Sequence, residues 1–184
     1  MITTLTVIIA VILLAYTIFY NKLIRLKNQV ENSWAQIDVQ LKRRADLLPA
    51  IVTVVKKYAE HEKDVFSYVS NARQKMLNAQ TPQENATADA SIQSALKSVF
   101  AVAEDYPELK ADKNFQQLQE EISSTENRVA YARQNYNDLV MKYNTTIESI
   151  PSNIISSIHN IFEQKEFFEA TEEEKAVPDV KEQL

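Results

Sequence analysis

Residues 33–49 read SWAQIDVQLKRRADLLP. Trp34, Ile37 and Leu41 recur at helical spacing, then run into Lys42, Arg43 and Arg44, followed by Asp46, two leucines and Pro49. The stretch is either a cationic patch for an anionic partner or the seam between two helices. Its polar residues favour the seam. Asp46 is a good N-cap, because its carboxylate accepts from the free N–H groups of the next turn. Pro49 then falls at N3, where a missing N–H has no intrahelical partner to lose. Lys42, Arg43 and Arg44 occupy the last turn of the preceding helix, where cations complement the negative dipole end. On this reading one helix ends near residue 44, another begins after Asp46, and the triplet is a solvated helix terminus.

Toward the N-terminus, Leu23, Leu26, Val30, Trp34, Ile37 and Leu41 keep a spacing of three or four, which predicts an unbroken helix back into residues 1–20. That segment, MITTLTVIIAVILLAYTIFY, has no charged side chain and as a helix reaches about 30 Å, one hydrocarbon thickness. Tyr16, Phe19 and Tyr20 stand at its far end, where interfacial aromatics belong. A cleaved secretory signal wants a charged leading region and a small-x-small site, and Ala15-Tyr16-Thr17 is a poor one. Residues 1–20 are therefore expected to stay in the lipid bilayer as an anchor. Lys22, Arg25 and Lys27 follow it directly, so the positive-inside rule predicts an outside N-terminus and a cytoplasmic remainder. On a straight helix Lys42 would lie about 33 Å beyond the span, against a Debye length of about 8 Å. Lipid headgroups are out of its reach.

Toward the C-terminus a second apolar row runs Leu48, Ile51, Val55 and Tyr58, skips Glu62, and resumes at Val65, Val69, Ala72 and Met76, flanked by Val52, Val54 and Phe66. Residues 78–91, NAQTPQENATADAS, are a linker by composition, with a third helix starting inside it. Thr81-Pro82-Gln83-Glu84 combines an N-cap, proline at N1 and the glutamate of a capping box. Its row, Ile92, Ala95, Leu96, Val99 and Ala103, stops before Tyr106-Pro107, because a residue preceding proline leaves the α region. A fourth helix, capped by Asp112 and ended by Pro151, carries Phe115, Leu118, Ile122, Thr125, Val129, Ala132, Tyr136, Leu139 and Tyr143, extended by Ile147 and Ile150. This 3.5-residue repeat implies left-handed packing against neighbours, and its mixed residues suit a bundle. A short fifth helix is predicted from Ser152 to Gln164, with Ile154, Ile155, Ile158, Ile161 and Phe162. From Glu169 the chain is acidic and poor in large apolar residues, the composition of a disordered tail.

Composition narrows the function. The 184 residues suffice for one domain with a modest core. A net charge of -5, with no cationic stripe between aromatics, argues against nucleic acid as a partner. Glycine is absent where about 7% is usual, which excludes the Walker loop, the GxGxxG turn and the GxSxG elbow as usually written. Cysteine is absent too, so thiolate chemistry and disulfides are out. His61-Glu62 begins a zinc HExxH motif, but Val65 stands where the second histidine belongs. A di-iron Glu-x-x-His needs glutamate three before histidine, and the residues there are Tyr58 and Ser156. Glu120 and Glu121 are adjacent on a helix and diverge. No catalytic, cofactor-binding or metal-ligating residue is assigned, and no cofactor is expected. The Tyr-Asn dipeptide recurs at 20–21, 136–137 and 143–144. It reads as tyrosine on the seam with asparagine at its solvated edge, or as an asparagine row that pairs with another helix.

The chain resembles the LemA family of bacterial membrane-anchored helical proteins. The resemblance lies in YNKLIRLKNQVENSWAQIDVQLKRRADLLPAIVTVVKKYAEHEKD at 20–64 and YPELKADKNFQQLQEEISSTENRVAYARQNYNDLVMKYNTTIESIPSNII at 106–155, with ARQ at 72–74 and Phe167-Phe168. Ala50 stands where the family often has asparagine, and Lys57 and Asn160 where it typically has glycine, so those two ends are expected to be more helical. The resemblance implies one N-terminal membrane helix and a cytoplasmic antiparallel helical bundle, and carries over no active site. The expected fold is all-α: a transmembrane helix at 1–20, continuing into a long antiparallel four-helix-type bundle over 21–165 with a short fifth helix, then a disordered acidic tail at 166–184. The expected function is a non-enzymatic, single-pass scaffold or adaptor for unidentified protein partners at the bacterial cytoplasmic membrane, a homo-oligomer being one possible state. The alternatives are a self-assembling membrane organiser, or a carboxylate-based metal or enzyme site formed only in the fold.

Overall fold

The structure is a computed structural model that describes residues 1–168. The expected acidic tail lies, from residue 169 on, outside the described residues. Among those described there is no strand, and the all-α expectation holds. The helices are α1 (Ile2–Val55), α2 (Lys63–Asn78), α3 (Pro82–Asp105), α4 (Pro107–Lys110), α5 (Lys113–Glu148) and α6 (Ser152–Ile158). The chain forms two compact units: residues 1–36 with 133–167, and residues 37–132 with Phe168.

The seam at 42–49 is corrected. Helix α1 runs through it without a break, with Pro49 in its interior and Asp46 as an ordinary exposed helical residue. The two apolar rows are one, because Ala45 is buried between Leu41 and Leu48, and 41, 45, 48, 51 and 55 keep helical spacing. The helix ends instead at Val55. The Lys57 and Tyr58 N–H groups fall back to three-residue bonds on Val54 and Val55 carbonyls, the tightened geometry of a helix terminus. Lys57 and Asn160 both lie in turns, so the expectation of more helical ends there was wrong.

In the second unit α2 packs on α3. Phe66, Val69, Ala72 and Met76 bury one face of α2. Of the predicted row Val65 is only half-buried and Phe66, expected on its flank, takes the buried place, with the Lys56 ammonium 5.2 Å from its ring centre. Helix α3 starts on the predicted capping box: Thr81 Oγ1 accepts from the Glu84 N–H, and the Glu84 carboxylate accepts from the N–H groups of Gln80 and Thr81. Those bonds hold the Glu84 carboxyl below its ordinary range. The compositional linker at 78–91 thus shrinks to three residues between helices. Ile92, Ala95, Leu96, Val99 and Ala103 are buried as predicted, and Phe100 meets Phe115 of α5 edge-on at 6.2 Å.

Helix α5 begins where predicted, with Asp112 Oδ1 accepting from the Asn114 and Phe115 N–H groups at 2.7 and 3.1 Å. Phe115, Ile122, Thr125, Val129, Ala132, Tyr136, Tyr143 and Ile147 of the predicted row are buried, but Leu118 and Leu139 are half-buried, and Val140 is buried in place of Leu139. Ile150 is not on this face but exposed. Tyr143 is enclosed entirely, and its hydroxyl finds no hydrogen-bond partner among the described residues. Burial, helped by Glu31 and Glu163, pushes the phenol above its ordinary pKa and keeps it neutral. An unpaired buried hydroxyl costs about 1–3 kcal/mol, so Tyr143→Phe is expected to melt at the same temperature or higher. A lower melting temperature would show that the hydroxyl has a partner.

Helix α6 is shorter than predicted, ending at Ile158 rather than Gln164. His159 is already extended (φ -112°, ψ 108°), because the chain beyond it is held along α5. Asn144 Oδ1 accepts from the Lys165 N–H and its Nδ2 donates to the Lys165 carbonyl, both at 2.9 Å. The Tyr136 hydroxyl donates to the Glu166 carbonyl at 2.8 Å, and Gln164 bonds Glu148. Tyr136 and Tyr143 of the Tyr-Asn repeats are on the buried seam, as one reading held, whereas Tyr20 is half-buried. Asn144, however, grips the Lys165 backbone, outside any helix, instead of water or another helix.

Candidate functional site

Lys42, Arg43 and Arg44 have three separate fates. Lys42 pairs with Asp38 one turn back at 2.6 Å, and Arg43 with Glu121 of α5 at 3.4 Å. Both are surface pairs of the kind that contribute about 0–1 kcal/mol. Arg44 is not a solvated terminus, and that expectation is withdrawn. It is 2% exposed, with Nη1 2.9 Å from Asp89 Oδ1 of α3 and Nη2 3.5 Å from Glu126 Oε2 of α5. Asp89 is 1% exposed, and Asn85, one turn before it, is equally buried. The Asn85 amide donates to the Thr81 carbonyl at 3.0 Å. Arg44 therefore ties three helices of the second unit at one charged point.

A signal for this junction was available. Asn85 and Asp89 continue the α3 row of Ile92, Leu96, Val99 and Ala103 at spacings of three and four. Arg44 and Ala45 fill the gap between Leu41 and Leu48 in the same way. A polar residue in phase with an apolar row is a buried polar candidate, and burial of a charge demands a charged partner.

A second polar junction in this unit joins the α1–α2 turn to the start of α5. The Tyr58 hydroxyl donates to Asp112 Oδ2 at 2.8 Å. This bond, ahead of the Phe115 N–H, holds the Asp112 carboxyl below its ordinary range. The same bond, ahead of burial, raises the Tyr58 phenol. A depressed carboxyl stabilises the fold above its unfolded pKa and loses that contribution as pH falls through its folded value. A raised phenol stabilises below its unfolded pKa and loses it as pH rises through its folded value. The wild-type chain is expected to melt above Asp112→Asn near neutrality, the gap closing below pH ~4 and above pH ~10. A gap independent of pH in melting curves would refute this assignment.

In the first unit the end of the apolar segment is an aromatic cluster. The Tyr16 hydroxyl lies 2.6 Å from His159 Nε2. The Tyr20 ring sits 5.1 Å from His159 and 5.8 Å, edge-on, from Phe162. Farther along, the Trp34 and Tyr136 rings meet at 5.6 Å. Sequence reasoning found Tyr16 and Tyr20 as interfacial residues but had no signal for their histidine partner.

Among the described residues no three His, Asp or Glu side chains gather as metal ligands would, and His61 stands exposed. The shallow depression between the end of α1 and α2, lined in part by Leu48, Val52, Phe66 and Val69, is mainly apolar. The one along α5, lined by Gln116, Gln119, Glu120, Ser123, Ser124 and Asn127, is polar. Neither contains a histidine or a cysteine to act as base or nucleophile.

The model of the LemA family matches residues 33–181. Protein LemA of Metamycoplasma hominis is 28% identical over 166 residues, covering 88% of this chain and 74% of that protein. Magnetosome protein MamQ 2 of Paramagnetospirillum magneticum is 23% identical over 176 residues, 82% of this chain and 64% of that protein. Magnetosome protein MamQ of Magnetospirillum gryphiswaldense is 21% identical over 175 residues, with 81% and 64% covered. The chain thus spans less than two thirds of the length of these MamQ proteins. None of the three names is that of an enzyme.

Proposed function

We propose, from the premise that this chain belongs to the LemA family, that it is a non-enzymatic scaffold or adaptor for protein partners, held in the bacterial cytoplasmic membrane by a single helix. Residues 1–20 are the anchor, with the N-terminus outside. The helices of residues 21–165 form an antiparallel four-helix-type bundle on the cytoplasmic side. One observation carries the reading: α1 changes solvent partway along its length. Residues 1–18 are exposed on every side and almost wholly apolar, whereas from Leu23 onward the same helix buries a face against protein. A helix apolar all round is covered either by a core or by lipid, and none of the described residues buries this apolar stretch. Lys22 and Arg25 stand exposed just past the change, as cytoplasmic flanking cations do.

The scaffold assignment is supported by a helical framework fixed by buried contacts, on which no three His, Asp or Glu gather as metal ligands among the described residues. A reporter fused at Leu184 is expected to be active in the cytoplasm, and crosslinking in cells is expected to recover a discrete set of membrane-associated proteins. An exported reporter overturns the compartment. A substrate turned over by the purified chain, with loss on substituting a clustered set of side chains, overturns the non-enzymatic role. Growth of the particle with concentration in mild detergent would favour self-assembly instead.

A further inference from the structure

Helix α6 turns isoleucines outward. Ile155 and Ser152 are buried against protein, but Ile154 is 58% exposed and Ile158 64%. Ile150 before the helix and Ile161 after it are exposed as well. Ile154 and Ile158, one turn apart, share a face of α6, and Ile150 and Ile161 flank it just outside the helix, so four exposed isoleucines fall within twelve residues, unlike the scattered apolar residues of an ordinary surface. The stretch 149–162, SIPSNIISSIHNIF, has no Asp, Glu, Lys or Arg. After residue 21 no other uncharged run in the sequence is as long.

The position of the patch identifies what covers it. His159, next to Ile158, meets the Tyr16 hydroxyl at 2.6 Å, and Phe162 lies against Tyr20. Tyr16 and Tyr20 mark the place where α1 passes from full exposure to burial. The isoleucine patch is thus continuous with the lipid-facing end of the anchor within one compact unit. The hydroxyls nearby are already bonded internally: Ser157 donates to the Ile154 carbonyl at 2.9 Å, and Ser156 to Ile147 and Asn153 carbonyls. A segment that enters lipid must satisfy its polar groups in this way. Amphipathic segments without a full span lie in the interface with their apolar face among the acyl chains.

We infer that the Ile154–Ile158 face of α6 is a second membrane contact, lying in the bilayer interface beside the anchor. The inference rests on the anchor reading of residues 1–20. It makes the protein grip the membrane at two points, which restricts how the anchored unit tilts on its helix.

The chain contains no cysteine, so single cysteines at Ile154, Ile158, Ile9 and Asn127 can each carry one environment-sensitive fluorophore. All four positions are exposed in the fold, and far-ultraviolet circular dichroism verifies that each labelled chain remains helical. The full chain is placed in vesicles of phosphatidylcholine and phosphatidylglycerol and quenched with lipid-borne nitroxide or with aqueous iodide. The labels at 154 and 158 are expected to follow Ile9→Cys: strong quenching by nitroxide lipid and weak quenching by iodide, the reverse of Asn127→Cys. Iodide quenching at 154 and 158 equal to that at 127, with Ile9→Cys in lipid, overturns this contact alone. Loss of lipid quenching at Ile9→Cys overturns the anchor reading and this inference together. Shielding at 154 that disappears when protein is diluted in lipid overturns the contact in favour of a second copy of the chain.

Discussion

Arg44→Met is expected to destabilise the second unit by about 3–5 kcal/mol, the cost of leaving a buried charge without its partner. Asp89 is the charge left behind. It is as buried as Arg44, whose guanidinium lies 2.9 Å from it, and the neutral Gln93 amide at 3.5 Å brings no opposite charge. Glu126, by contrast, has a largely exposed carboxylate, and solvent can compensate its loss. Urea unfolding of the full chain in detergent micelles measures the change. The double variant Arg44→Met/Asp89→Leu separates two meanings of the pair. A buried ion pair removed whole is often neutral or even stabilising when apolar residues of similar volume take its place. Recovery of most of the lost stability is therefore expected. If the single variant costs less than about 1 kcal/mol, the value of a surface pair, Arg44 is not buried in solution. A costly single variant rescued by the double one instead makes the pair a register lock: only one alignment of α1, α3 and α5 brings Arg44 to Asp89 and Glu126.

The elements most legible in the sequence were those announced by local chemistry. The Thr81–Glu84 capping box, the Asp112 cap and the unbroken heptads of α5 each involve residues within one helix or its first turn, so their energetics can be read without knowing the fold. The apolar anchor segment was legible for the same reason. What failed to be legible depended on distant partners. Arg44 looked like a terminal cation because its neighbours in sequence are Lys42 and Arg43, whereas its environment is set by residues 45 and 82 positions away. The end of α6 was overestimated because nothing near His159 shows that Asn144 will hold the Lys165 backbone outside a helix. Ile150 was read, from its spacing after Tyr143 and Ile147, as extending the apolar side of α5, yet it is exposed, because α5 ends at Glu148. The LemA resemblance, confirmed over 33–181, settled kinship but could not supply a site, since it implied none.

Pro49→Ala is expected to stabilise the chain by about 2 kcal/mol. Proline in a helix interior costs about 3 kcal/mol relative to alanine, through the missing N–H and the clash of its ring with the preceding turn. Part of that is returned because proline restricts the unfolded chain, worth about 0.4–1 kcal/mol. The Pro49 ring is exposed, so alanine there creates no cavity, and the difference reports the backbone. Helix α1 tolerates the cost because Ala45, Leu48, Ile51 and Val55 are buried across the interruption. Burial of each large aliphatic side chain among them contributes about 1.5–3 kcal/mol, so together they outweigh one proline. That balance is why a residue chosen by sequence as a helix start lies in the middle of one. Urea unfolding in micelles measures the gain, and amide exchange at residues 45–53 is expected to slow in the variant. If Pro49→Ala leaves stability unchanged or lowers it, the chain does separate into two helices at Asp46. The single row from Leu23 to Val55 would then have to be abandoned, and with it the placement of Arg44 in the interior.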